Sequence, residues 1–167
     1  MSGGFPDGDL VSSYPSLESL PALLSDTGAD RAEILDVVLE FLVRDSGAAR
    51  GTIYLVERER GELVSGATRG REIEGISISL GEGIAGSVAE TGELMLIEDA
   101  YASPQFDSSV DELTGYRTEN MLTAPAGEGE PVGVLQLLNK PGGFTERDAA
   151  FVRAVAEQLA GYIKATS

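Results

Sequence analysis

Residues 131–148 read Pro131-Val-Gly-Val-Leu-Gln-Leu-Leu-Asn139-Lys140-Pro-Gly-Gly-Phe144-Thr-Glu-Arg-Asp148, and this stretch decides the fold. An apolar run bounded by Pro and Gly reads as a buried strand. Pro141-Gly142-Gly143 reads as a tight turn. Thr145 then stands where a helix N-cap belongs, and an apolar-periodic segment follows it to about residue 164. Lys140 ends the strand and Asp148 falls in the first helical turn, so the turn can bring the two together. A carboxylate there is also favoured by the helix dipole.

Outward from this stretch, 167 residues set one domain as the prior, long enough to bury a substantial core. Residues 1–16 are rich in Gly, Ser, Pro and Asp and read as a loose tail, leaving 17–167 as the domain. A short helix is expected within 17–24. Asp30, with Glu33 three residues on, predicts a capping box. Ile34, Leu35, Val38, Phe41 and Leu42 then recur at helical spacing. Strands are expected over 50–56, 63–68, 76–80, 94–97, 120–125 and 131–138. A short helix is expected over 83–90, and another near 108–114 inside a polar insertion covering 98–120. Helices at both ends with strands between them predict an α+β fold, one antiparallel sheet carrying the terminal helices on one face.

The formal net charge is −16, from 12 Lys and Arg against 28 Asp and Glu. That excludes nucleic acid polymers and anionic membrane surfaces as expected partners. It leaves room for a buried anion held at short range by backbone N–H groups. There is no Cys, His or Trp. Disulfides, thiolate zinc sites, Cys nucleophiles, Ser-His-Asp triads and most transition-metal sites go with them. Carboxylates are abundant, but nothing marks one pair for hydrolysis, so no enzyme activity and no metal are expected. The sequence has no apolar run of spanning length and no signal layout, which predicts a cytoplasmic protein.

The order Asn139-Lys140, Phe144, Asp148 resembles the signature of GAF domains in cyclic-nucleotide phosphodiesterases and bacterial adenylate cyclases. The resemblance also rests on Gly81-Glu82-Gly83-Ile84-Ala85-Gly86, on Asp99-Ala100-Tyr101-Ala102 with Pro104 and Phe106, and on the run from Val110 to Asn120. One departure stands out: the family signature continues with Glu after Asp148, and here that residue is Ala149. The resemblance implies a six-stranded sheet in order 3-2-1-6-5-4, with a small-molecule pocket on the face away from the terminal helices. It implies that Lys140 and Asp148 pair structurally. It implies a regulatory domain that binds a cyclic nucleotide, cAMP or cGMP, with no covalent cofactor, and passes the signal through its terminal helices to an output domain of the parent protein. The alternative is a module that dimerises and transmits helix motion without a ligand.

By the same resemblance, backbone N–H groups at Ile84 and Ala85 touch the cyclic phosphate. Residues at Asp107, Asp111, Thr114 and Thr118 line the nucleotide. Each has a plainer reading, a simple helix start for the glycine turn and a solvated acidic loop for 107–118. G-x-G-x-x-G at 81–86 does not make a dinucleotide fold, since the helix is too short for a parallel crossover. Gln136 alternates with Leu135 and Leu137 and so faces the ligand side if those two pack under helices. Thr52, Thr68 and Arg69 complete the expected pocket. Relatives that read cGMP carry an aromatic residue and an Asp at the last two positions. Arg69 only donates, so cAMP is the favoured ligand if Arg69 faces the base. Otherwise Arg69 is a surface charge beside Glu72 or Glu74. Val152, Val155, Leu159 and Tyr162 step by three and four along the last helix. They read either as core or as the seam of a homodimer.

Overall fold

The computed structural model describes residues 16–26, 28–70 and 77–167. The tail over 1–15, and Glu72 and Glu74, lie outside the described residues. In chain order the elements are α1 (Leu20–Leu24), α2 (Arg31–Ser46), β1 (Arg50–Glu57), β2 (Glu62–Arg69), β3 (Ser77–Ser79), α3 (Gly83–Thr91), β4 (Met95–Ile97), a 3-10 turn at Ala100–Ala102, α4 (Ser109–Thr114), β5 (Met121–Ala126), β6 (Gly133–Leu138) and α5 (Glu146–Ala165). Six strands form one sheet in the order β3-β2-β1-β6-β5-β4, antiparallel at every pairing. The fold is α+β, with the strand order that the resemblance implies.

Side-chain alternation gives the sheet two working faces. Ile53, Leu122, Ala124, Leu135 and Leu137 point to one side. There they meet Ile34, Leu35, Val38 and Leu42 of α2 and Val152, Val155 and Leu159 of α5. Each such fully buried aliphatic side chain contributes about 1.5–3 kcal/mol. Tyr54, Leu63, Met121, Val134 and Leu138 point to the other side and meet Ile84, Ala85, Val88 and Ala89 of α3. β1 and β2 slip by one residue at Ile53 and Tyr54, which leaves Gly66 unpaired as a bulge.

The helix ends follow their local chemistry only in part. Gly47 and Gly92, at φ 84° and 74°, terminate α2 and α3 in the left-handed conformation. Thr145 and Asp148 form a complete capping box on α5. Asp30 occupies the N-cap position of α2 in extended conformation, but its side chain makes no capping hydrogen bond. The capping box expected with Glu33 is therefore not formed. Among the described residues no helix is long and apolar enough to cross a membrane.

The stripe on α5 is core. Val152, Val155 and Leu159 are fully buried and Tyr162 is 8% exposed, all within the cluster shared with α2 and the sheet. The three-and-four spacing is used up inside the molecule, so it does not form the seam to a second copy that it suggested.

Candidate functional site

On the face opposite α2 and α5, a cavity of about 300 Å3 lies between the sheet, the N-terminus of α3 and the α4 segment. Alternation along β1 and β6 turns Arg50, Tyr54, Gln136 and Leu138 toward it, and β5 adds Met121. Gly83, Ile84 and Ala85 form the wall where α3 begins. Phe106, Asp107, Ser109, Asp111, Thr114, Tyr116 and Thr118 come from the 98–120 insertion that roofs it.

The α3 wall is shaped by glycine. A Cβ on Gly86 would lie 2.5 Å from the Ser79 carbonyl oxygen, so only glycine lets the helix approach β3 so closely. The first N–H groups of a helix have no acceptor within it. Glu82, the N-cap residue, does not cap them. Its carboxylate instead accepts from the Ser79 N–H at 3.0 Å. The N–H groups of Gly83, Ile84 and Ala85 meet no acceptor among the described residues and, reinforced by the helix dipole, suit an anion.

The roof is tied down by one carboxylate. Asp111 is 8% exposed, and its Oδ2 accepts from the Tyr101 hydroxyl at 2.7 Å and from the Thr118 N–H at 2.7 Å. Its Oδ1 accepts from the Thr118 hydroxyl at 2.9 Å. The hydrogen bond to Asp111, with a smaller contribution from desolvation, raises the Tyr101 phenol above its ordinary range. The segment is thus no solvated acidic loop at Asp111. Asp107 accepts from the Ser109 N–H at 2.9 Å and from its hydroxyl, and these two bonds lower its pKa.

Of the ten expected ligand contacts, Ile84, Ala85, Asp107, Asp111, Thr114, Thr118 and Gln136 are brought together around the cavity. Gln136 is 6% exposed and donates to the Thr123 hydroxyl at 3.2 Å. Thr52 and Thr68 stand in register with Gln136 on the same face but do not line the cavity. Arg69 is on the other face. It pairs in register with Gly51, whose Cβ direction points at Leu39 and Val43 of α2. Its guanidinium lies 2.8 Å from Asp36 and 2.8 Å from Glu40, both on α2. Arg69 does not line the cavity, and its partners among the described residues are the α2 carboxylates; the Glu72 and Glu74 of the other expectation lie outside the described residues.

Sequence reading missed Arg50, Tyr54 and Tyr116 as lining groups. Arg50 could have been found by counting two residues back from Thr52 along β1. Nothing local announces Tyr116. Among the described residues, no group of three or more acidic side chains is placed to hold a metal ion.

A single sheet with terminal helices on one face and a roofed cavity on the other defines a two-sided α+β module. Residues 28–164 match the family model described as GAF domain, and the chain belongs to the GAF domain family. Over 77 residues it is 44% identical to the dual 3',5'-cyclic-AMP and -GMP phosphodiesterase 11 of Drosophila melanogaster. That stretch is 44% of this chain and 5% of the relative, so the chain matches only a small part of that protein's length. The GAF domain of a phosphoenolpyruvate-protein phosphotransferase from Coxiella burnetii superposes with a TM-score of 0.76 at 22% identity, covering 90% of this chain and 96% of that one. The free methionine-R-sulfoxide reductase of Neisseria meningitidis, solved in complex with its substrate, superposes with a TM-score of 0.75 at 22% identity, covering 97% and 95%. Both structural likenesses show the shared fold.

Proposed function

We propose that this domain is a regulatory module that takes up a cyclic nucleotide in the cavity beneath α4 and passes its occupancy to the terminal helices. One observation carries the reading: the uncapped N-terminus of α3 and the cation of Arg50 converge on one roofed cavity. Its volume of about 300 Å3 sits at the lower end of small-molecule sites, roughly 300–1,000 Å3. Glu82, Asp107 and Asp111 line the same space. Three carboxylates disfavour a nucleoside triphosphate, whereas a cyclic phosphate diester brings a single charge. The similarity to a cyclic-nucleotide phosphodiesterase supports the same ligand class.

The expected preference for cAMP had Arg69 as its carrier, and Arg69 is bound to Asp36 and Glu40 on the far face. The preference is therefore not retained on that ground. The reading is of a binding domain rather than an enzyme: the chain has no Cys to act as a nucleophile and no His to activate a hydroxyl. Signalling output would belong to another domain of a cytoplasmic parent protein. A homodimer contact, if helix motion is the signal, would use the outer faces of α2 and α5, because the α5 stripe is spent on the core.

Calorimetry and thermal shift on nucleotide-stripped protein test the proposal. A ligand at 100 times its Kd adds about 2.7 kcal/mol, which raises Tm by roughly 5–10 °C for a chain of this size. Absence of heat and of any shift with millimolar cAMP and cGMP, together with no nucleotide in a denatured extract, would sink it.

A further inference from the structure

Away from the cavity beneath α4, a groove of about 520 Å3 runs between the end of α1, the loop that leads into α2 and the last turns of α5. Leu24 and Ala29 give it an apolar side. Asp26 and Arg31 bring one charge of each sign, and Gly161 and Tyr162 of α5 also line it.

Tyr162 is 8% exposed and packs in the core. Its hydroxyl makes no hydrogen bond among the described residues, whereas every fully enclosed polar side-chain atom there has a partner. The phenol oxygen therefore opens onto the groove. Burial raises the phenol above its ordinary range; the Arg31 charge opposes the shift, and Asp30 and Asp26 add to it. The hydroxyl is thus a protonated donor with both signs of charge around it. Gly161 keeps the space beside it open. Gly86 of α3 is required by a close approach, but a Cβ on Gly161 would meet nothing within 4 Å, and its φ is not positive. Glycine inside a helix is less favourable than alanine, and neither backbone nor packing asks for it here.

Neither charge is neutralised locally. Among the described residues, Arg31 and Asp26 form no ion pair. Arg31 donates only through Nη1, to the Thr166 carbonyl at 3.3 Å and hydroxyl at 3.4 Å. Asp26 accepts from the Gly28 N–H at 2.9 Å through Oδ1 alone. A carboxylate fits Arg31, an ammonium group fits Asp26, and a short aliphatic chain fits Leu24 and Ala29. We infer that this groove is a second binding site, separate from the cavity beneath α4, for a small zwitterion with an apolar side chain, the chemistry of a free aliphatic amino acid, and that Tyr162 donates to its carboxylate. A zwitterion brings no net charge to a chain of formal net charge −16, which repels a simple anion.

The test is an amide NMR titration of the whole chain with L-leucine, isocaproate, which lacks the amine, and isoamylamine, which lacks the carboxylate. Saturable shifts with leucine are expected around Leu24 and Tyr162, and both analogues should bind at least about tenfold more weakly. Gly161→Leu fills the open space and should abolish binding while the chain stays folded. Tyr162→Phe should weaken leucine by about threefold to tenfold. Arg31→Gln should remove the preference over isoamylamine, and Asp26→Asn the preference over isocaproate. No saturable shift at millimolar leucine, shifts confined to the cavity beneath α4, an analogue that binds as tightly as leucine, or binding unchanged in Gly161→Leu overturns the assignment. If Gly161→Leu does not fold, unchanged preferences in Arg31→Gln and Asp26→Asn overturn it instead. Each of these results leaves the cyclic-nucleotide reading to its own test.

Discussion

Lys140 Nζ lies 2.6 Å from Asp148 Oδ2, and the same oxygen accepts the Thr145 N–H at 2.8 Å. One carboxylate therefore joins the end of β6, the N-cap and the first turn of α5. The Asp148 N–H donates back to the Thr145 hydroxyl at 3.2 Å, which completes the capping box. Asn120 adds to the junction, its amide donating to the Lys140 carbonyl at 3.1 Å and accepting from the Lys140 N–H at 2.9 Å. Ala149, where the family signature carries Glu, is 2% exposed and packs in the core.

Asp148→Ala should cost about 1–2 kcal/mol, from a lost cap and a lost ion pair. For a domain of this size that is a fall in Tm of roughly 2–8 °C. Lys140→Ala should cost less, since the capping box survives it. Neither residue lines the cavity, so ligand affinity measured well below Tm should hold. Lost binding with unchanged Tm would reverse the roles.

The same junction sets a dependence on acid. Burial works to raise the Asp148 carboxyl, but the Lys140 hydrogen bond, the Thr145 N–H and the Lys140 charge outweigh it, and its pKa is lowered. A carboxyl depressed on folding stabilises fully above its unfolded value of about 3.9 and loses that contribution as pH falls through the folded one. The Tm difference between native chain and Asp148→Asn should be constant near neutrality and shrink below about pH 4. A difference independent of pH down to 2 would contradict the pairing.

Arg69 joins β2 to α2 through Asp36 and Glu40. Arg69→Ala is expected to lower stability by about 1 kcal/mol, the scale of a partly exposed charge pair or two. Urea unfolding measures this directly. Restoration of stability by a compensating change at Asp36 and Glu40 to neutral residues is also expected. A variant that loses ligand but no stability would return Arg69 to the cavity.

Leu159 is fully buried between α5 and its neighbours. Leu159→Glu places an unpaired charge in that core, so the expected outcome is loss of the cooperative unfolding transition. Leu159→Ala should cost about 2–5 kcal/mol. Sedimentation of Leu159→Ala should give the native oligomeric state. A folded Leu159→Glu of lower mass would show that the position is a subunit seam after all.

Asp111 holds the roof through Tyr101 and Thr118. Asp111→Ala leaves those donors without their acceptor, at about 1–3 kcal/mol. The loss should appear as faster limited proteolysis within 98–120, with the cleavage pattern elsewhere unchanged. Equal protection in native and variant chains would show that the roof is held by other contacts.

Local chemistry in the sequence was enough for the class of fold, the helix stop at Gly92, the helix start at Thr145, and the Lys140–Asp148 junction. These depend on residues a few positions apart, where spacing and backbone preference decide the geometry. Alternation likewise placed Gln136 opposite Leu135 and Leu137, because a strand leaves no other choice. The family resemblance supplied six of the residues that line the cavity, Ile84, Ala85, Asp107, Asp111, Thr114 and Thr118. Tertiary structure alone decided three things. The α5 stripe became core because α2 and the sheet already cover it, and periodicity is the same whatever covers a helix. Arg69, on the helix side because it follows Thr68 along β2, meets Asp36 and Glu40 there only because α2, far away in the chain, packs across the strand. Arg50 and Tyr116 met because the 98–120 insertion folds back across β1 and Asn139 holds the tyrosine in place. Contacts of that kind join distant segments, and no local pattern in either segment encodes the distance between them.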